Sequence, residues 1–229
     1  MFEAGPQFTG HDIEKQSSVI AGIRSGKAIE KNHYGLTRDV DCFDAKSDAL
    51  TALSAAGAPA ANLRIKQDAP DWYHPGRSGI LMLGKTTLAQ FGELHPIILK
   101  KMGVDFPLVA FEVFIELIPT KKNKGHFTKP ALKTSAFPAV ERDFAFILNK
   151  DVEAEDVLSA ARSADKTIIS KVSLFDLYED TEVGKQNKSL AITVRLEPTS
   201  ATLKDSDIEE IAKKVINNVK RITGGELRS

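Results

Sequence analysis

The sequence predicts an α+β protein with antiparallel sheets, and two observations carry that prediction. In the first half, strand-like runs follow one another without regular helical crossovers. In the second half, the elements fall in the order βαββαβ, the split motif of ferredoxin-like domains. The length of 229 residues suits two domains of about 100 residues, each able to bury a core.

In the first half, Asp44 to Gly57 is rich in alanine and leucine and predicts a helix, with Asp44 as N-cap and Gly57 and Pro59 as the stop. Leu63 to Lys66, Gly79 to Leu83 and Val109 to Ile118 read as strands. Gly84 closes one of them, Lys85 to Thr87 suits a hairpin turn, and His95 to Met102 suits a short helix. In the second half, Arg142 to Leu148, Lys166 to Glu179 and Ser189 to Leu196 are strands, and Glu153 to Ser163 has helical spacing. Asp205 to Ile222 places Ile208, Ile211, Ala212, Val215, Ile216, Val219 and Ile222 on one helix face. Gly224-Gly225 stops this helix, and Glu226 to Arg228 adds a last strand.

Alternation then sorts the strand residues. Phe144, Phe146, Leu148, Phe175, Leu177, Leu190, Ile192, Val194 and Leu196 are expected beneath the helices. Ala145, Asp176, Tyr178, Ser189, Ala191, Thr193 and Arg195 are expected on the opposite face, which is small, polar and flat. Such a face suits either plain solvation or a single-stranded RNA base stacked on the tyrosine.

Charge and cysteine content narrow the classes. There are 31 basic and 31 acidic residues, so a grossly basic nucleic-acid coat is excluded. The charge is nonetheless uneven. Thr120 to Ser135 holds five lysines and no acid, whereas residues 136–229 hold 14 basic and 17 acidic residues. The basic stretch reads as a linker between domains, with its lysines either solvated or set against an anion. Cys42 is the single cysteine, which excludes an internal disulfide and a cysteine zinc cluster and suits a reducing compartment. It is expected to be a buried structural thiol. No apolar run approaches the roughly 20 residues of a membrane span, and no signal peptide is evident, so the expected location is cytoplasmic. His74 and His95 lack carboxylate or cysteine neighbours at metal-ligand spacing, and turn stabilisation is the reading for both.

Specific strings add a resemblance. Phe137-Pro138-Ala139-Val140-Glu141-Arg142-Asp143, Leu174-Phe175-Asp176-Leu177-Tyr178, Lys188-Ser189-Leu190-Ala191, Thr202-Leu203 and Gly225-Glu226-Leu227-Arg228 occur in order. Together they resemble the ferredoxin-fold anticodon-binding domain of the bacterial phenylalanyl-tRNA synthetase β-subunit family. Arg38 to Lys46, His74 to Ser78, Gly92 to Pro96 and Phe2 to Gly5 resemble segments of the catalytic-like domain of the same family.

The resemblance implies a partial, inactive class II synthetase-like sheet domain over 1–118, a basic linker over 119–135 and the anticodon-binding domain over 136–229. The family's β subunit is several times longer, so the chain reads as a C-terminal fragment of it, inactive alone. The implied function is non-catalytic: binding the anticodon region of phenylalanine tRNA and docking on the α subunit, within an α2β2 phenylalanine–tRNA ligase. The implied partners are that tRNA and the α subunit, with no membrane. No catalytic residue, metal ligand or cofactor is expected in this chain, since ATP and Mg²⁺ are used through other regions. Tyr178 is expected to stack on an anticodon base, Asp176 and Ser189 to bond base edges, and Ala145 to leave room for the ring. Arg142 and Arg195 are expected to meet phosphate or to pair with a local acid such as Asp143 or Glu197. The competing reading, from fold analogy alone, is a small-molecule regulatory module of ferredoxin-like fold.

Overall fold

The computed structural model describes residues 1–12, 15–119, 135–180, 184–198 and 201–228. The chain divides into two compact units, Met1–Phe127 and Thr128–Ser229. Nearly all of the lysine-rich stretch expected as a linker lies outside the described residues.

Unit 1 is built on a six-stranded antiparallel sheet. Its strands are β1 (Phe2–Phe8), β2 (Gln16–Arg24), β5 (Arg64–Lys66), β6 (Tyr73–Leu83), β7 (Thr86–Leu94) and β8 (Val109–Phe114). They lie in the order β1-β2-β8-β7-β6-β5. A small ribbon, β3 (Lys27–Ile29) with β4 (Arg38–Asp39), leads into helix α1 (Cys42–Ala55). Ala45, Ala49 and Leu53 of α1 bury against Leu81, Ala89, Phe91, Val109 and Val113 of the sheet. A short helix, α2 (Pro96–Lys101), follows β7.

The α1 N-cap is Asp41, three residues ahead of the expected Asp44. Asp41 Oδ1 accepts from the Phe43 N–H at 2.8 Å and the Asp44 N–H at 3.3 Å. Asp44 instead closes a capping box, its Oδ2 accepting from the Asp41 N–H at 2.9 Å. Arg38 grips the same carboxylate with two bonds of 2.7 Å. These bonds hold the Asp44 carboxyl at about 2, below its ordinary 3.8. As pH falls, the unfolded chain therefore binds this proton first, and unit 1 loses stability between about pH 4 and pH 2. Asp44→Asn is expected to flatten that part of the profile and to lower stability at pH 6 by about 1 kcal/mol. Denaturant midpoints at pH 3 and pH 6 check both; equal acid sensitivity in the two proteins refutes the assignment.

Both histidines act on local backbone. His95 caps α2, its Nδ1 accepting from the Ile97 N–H at 3.2 Å, and His74 Nδ1 accepts from the Gly76 N–H at 3.1 Å. Cys42 is half-buried and opens α1, and desolvation raises its thiol pKa, opposite to nucleophile activation.

Unit 2 contains β9 (Val140–Asn149), α3 (Ala154–Arg162), β10 (Ile169–Tyr178), β11 (Asn187–Leu196), α4 (Asp205–Thr223) and β12 (Glu226–Leu227). The sheet order β10-β11-β9-β12, all antiparallel, is that of a ferredoxin-like fold. Alternation on β9 and β11 holds: Phe144, Phe146, Leu148, Leu190, Ile192, Val194 and Leu196 bury with Val157, Ala160 and Ala161 of α3 and Ile208, Ile211, Val215 and Val219 of α4. Gly224 ends α4 in a left-handed conformation at φ 71°.

One expectation fails on β10. Phe175 and Leu177 are not core residues, being 58% and 53% exposed. A bulge between Leu174 and Asp176 leaves Phe175 without a cross-strand partner. Leu177 does face the helix side, opposite buried Leu190, but it sits on the edge strand.

Candidate nucleic-acid interface

The sheet face of unit 2 turned away from the helices carries the expected site. The register aligns its side chains in rows across the strands. One row runs Asp176–Ala191–Ala145 across β10, β11 and β9. The next runs Tyr178–Ser189–Ile147–Glu226 and reaches β12. Ala145, Asp176, Tyr178 and Ser189 therefore share one face in two adjacent rows. Ala191 and Ala145 are the two small side chains of the row beside Asp176.

The four differ in access. Asp176 is exposed, and Ala145 and Tyr178 are half-exposed. Ser189 is only 4% exposed, so it forms floor beneath its neighbours. The Tyr178 hydroxyl donates to Asp180 Oδ2 at 3.0 Å. The Arg228 guanidinium lies 5.5 Å from the centre of the Tyr178 ring, within cation–π range. The Arg228 N–H donates to the Ala145 carbonyl at 2.8 Å, which extends the β12 pairing by one residue and anchors Arg228 beside Ala145. Arg228 carries no role in the sequence reading. The usable signal was parity: two residues after Glu226, it returns to the same face.

The two arginines expected at phosphate do not act together. Arg142 lies opposite Val194 on the helix side of the sheet, among Phe144, Leu196 and Ile208. Even parity on β9 places it there, away from Tyr178. Arg195 is on the site face but is already held: its Nε donates to Glu197 Oε1 at 2.8 Å and its Nη1 to Glu141 Oε1 at 3.4 Å. Those carboxylates, Glu197 foremost, raise its pKa further. Asp143, a suggested partner for Arg142, accepts instead from the Thr193 hydroxyl at 2.6 Å.

This arrangement sets an aromatic face, a carboxylate and the Arg228 guanidinium close together on one sheet. Among the described residues, no group of three or more His, Cys, Asp or Glu side chains is placed to hold a metal ion. No helix among them is long and apolar enough to cross a membrane.

Comparison with known families decides the relationship. The model of the phenylalanyl-tRNA synthetase beta chain CLM domain matches residues 1–115, just over half of the chain. The chain belongs to the phenylalanyl-tRNA synthetase β-chain family. The model of the ferredoxin-fold anticodon-binding domain matches residues 135–228, in agreement with the sheet order of unit 2. Relatives within the family include the phenylalanine–tRNA ligase beta subunit of Paramagnetospirillum magneticum, 49% identical over 228 residues. The beta subunits of Rhodospirillum rubrum and Mesorhizobium japonicum are 44% and 46% identical. Each alignment covers all of this chain and 29% of the relative. The chain thus spans less than a third of the length of these family members.

Proposed function

We propose that this chain is a non-catalytic part of a phenylalanine–tRNA ligase, binding the anticodon region of phenylalanine tRNA through unit 2 and docking on the α subunit within an α2β2 assembly in the cytoplasm. The observation that carries this reading is the pair of register rows that sets Tyr178 beside Asp176, over the small floor of Ala145 and Ala191. A base stacks on the tyrosine, and its N–H groups donate to Asp176, an acceptor when ionised. Arg228 swings aside or closes on the opposite face of the base. Ser189 supports the ring from below. Holding the anticodon fixes where the acceptor end of the tRNA falls in the assembly, so the contribution to catalysis is positional. ATP and Mg²⁺ are used through other regions of the ligase.

The test is tRNA binding by the complete ligase carrying Tyr178→Ala or Tyr178→Phe. Loss of stacking is expected to weaken binding of phenylalanine tRNA by about 5- to 100-fold in the alanine variant. The phenylalanine variant keeps most of the affinity, because the ring does the stacking. A tRNA with a changed anticodon is expected to lose its handicap against the alanine variant. Unchanged affinity in Tyr178→Ala overturns the reading.

A further inference from the structure

We infer that two copies of this chain associate through unit 1, each seating its β3–β4 ribbon in an apolar groove of the other. The groove follows from the width of the sheet. Six strands span about 24 Å, and one helix covers about 10 Å of that. Helix α1 buries Ala45, Ala49 and Leu53 against the β6, β7 and β8 side. Its flank therefore faces bare sheet at β1 and β2. A groove of about 420 Å³ results, lined by Thr51, Ala52 and Ala55 of α1 and by Phe2, Ile20 and Phe111 of the sheet. The Phe111 ring lies against Gly22, where an added Cβ would come within 2.4 Å of it. The charges bordering the groove are already neutralised, since Arg24 Nε lies 2.6 Å from Asp48 Oδ2.

The ribbon is a projection of matching character. From Arg24 to Asp39 every residue is exposed except half-buried Ala28. Its tip is a defined turn: the Tyr34 N–H donates to Asn32 Oδ1 at 2.9 Å, the Gly35 N–H donates to the Asn32 carbonyl at 3.1 Å, and Gly35 has φ 75°. The tip presents Tyr34 and Leu36, 77% and 68% exposed. Isolated two-stranded ribbons are marginal, so an apolar tip held out in this way marks a docking element. Chemistry then selects the occupant of the groove. Lys27 and Arg38 are bound to Asp39 and Asp44, each at 2.7 Å, so most of the ribbon's positive charge is unavailable to a nucleic acid. Addition of a strand to β1 is also disfavoured. Met1 and Ile23 exchange backbone bonds, so the even residues of β1 turn outward, and Pro6 has no N–H to offer there. What fits the groove is a compact apolar knob, and this chain carries one. Groove and ribbon meet between Arg24 and Gly26, so a two-fold axis beside that joint lets each ribbon cross into the other copy and closes the pair. The balance of 31 basic and 31 acidic residues leaves no net repulsion between copies.

The experiment is sedimentation equilibrium of this chain across the micromolar range. The mass is expected to rise with concentration from one chain towards two. Tyr34→Ser with Leu36→Ser on the ribbon, or Ala55→Glu in the groove, is expected to raise the dissociation constant about tenfold or more. All three positions are exposed, so thermal midpoints of dilute variants should match wild type. Cross-linking tests the exchange directly. In a Cys42→Ser background, a mixture of Leu36→Cys and Ala55→Cys chains treated with a short bis-maleimide is expected to give a covalent heterodimer. Lys213→Cys on α4 is expected to give none with Leu36→Cys. A constant single-chain mass overturns the proposal. So does association that ignores both the ribbon and the groove substitutions, since another surface then carries it. If the chain stays single and maleimide cannot reach Ala55→Cys in the complete ligase, another part of the ligase fills the groove and the exchange is wrong.

Discussion

Replacing Phe146 with alanine is expected to lower the stability of unit 2 by about 3–5 kcal/mol. The side chain is fully buried at the centre of the sheet, with Leu190 opposite it on one neighbouring strand and Leu227 on the other. Its ring stacks against Phe144 at 6.2 Å between centres. Sheet residues and both helices contribute to the cluster around it, so the space left behind has many walls and no single element able to move in and fill it. A loss of this size is a large fraction of the 5–15 kcal/mol that typically holds a domain together. Calorimetry resolves the effect. Trp72, the one tryptophan, lies in unit 1, which has its own core, so its fluorescence transition should stay where it is. A loss below about 1 kcal/mol would show that the pocket collapses freely.

The second large effect is expected at Gly92. Its φ of 154° is one that side-chain-bearing residues rarely adopt, and the space for a Cβ is already taken. An added methyl would lie 2.4 Å from the Ser78 Cβ, 2.6 Å from the Ser78 Cα and 2.7 Å from the Arg77 carbonyl oxygen. Two of these atoms are backbone, so relief requires β6 to move away from β7. Strain of about 1–3 kcal/mol adds to overpacking of similar size. Gly92→Ala is therefore expected to destabilise unit 1 by about 2–6 kcal/mol, read as a shift in the Trp72 transition. Gly5→Ala is the control: the nearest atom to its added methyl is the flexible Glu3 carboxylate, 3.9 Å away, and its effect should be small. Equal stability of the two variants would refute the close approach at Gly92.

These two sites also mark how far the sequence could be read. Unit 2 was legible because β9 and β11 alternate without interruption, and alternation fixes which side chains lie beneath the helices. It failed at Phe175, since a bulge breaks the period of two without leaving a glycine or proline to announce it. Burial of Ser189 was also invisible, because parity assigns a face but not what lies over it. Arg142 was offered as a phosphate contact or as the partner of a local acid, and its even parity on β9 puts it on the helix side, away from Tyr178. In unit 1, the turn expected at Lys85 to Thr87 implied a strand after it but set no bounds for β7, and the close approach of β6 at Gly92 left no sign in the pattern. The α1 cap was placed at Asp44 and not Asp41, since both acids stand at cap-like positions and only the reciprocal bonds tell them apart. Some of the strings that carried the family resemblance, 174–178, 38–46, 74–78 and 92–96, lie at the bulge, the cap and the tight approach, where a residue is dictated by more than burial.

The two residues of β12 have a consequence for how the protein is made. Glu226 and Leu227 close the sheet against Ile147 and Phe146 of β9, so the final strand of unit 2 pairs with its first. During vectorial synthesis, the flank of β9 that β12 covers stays bare until Glu226 and Leu227 have emerged from the ribosome. Unit 1 completes its own sheet well before that point, while the nascent ferredoxin-like sheet waits with one side open. Premature termination shortly before Gly224 would leave that side open permanently, with α4 in place but an unpaired strand available for aggregation.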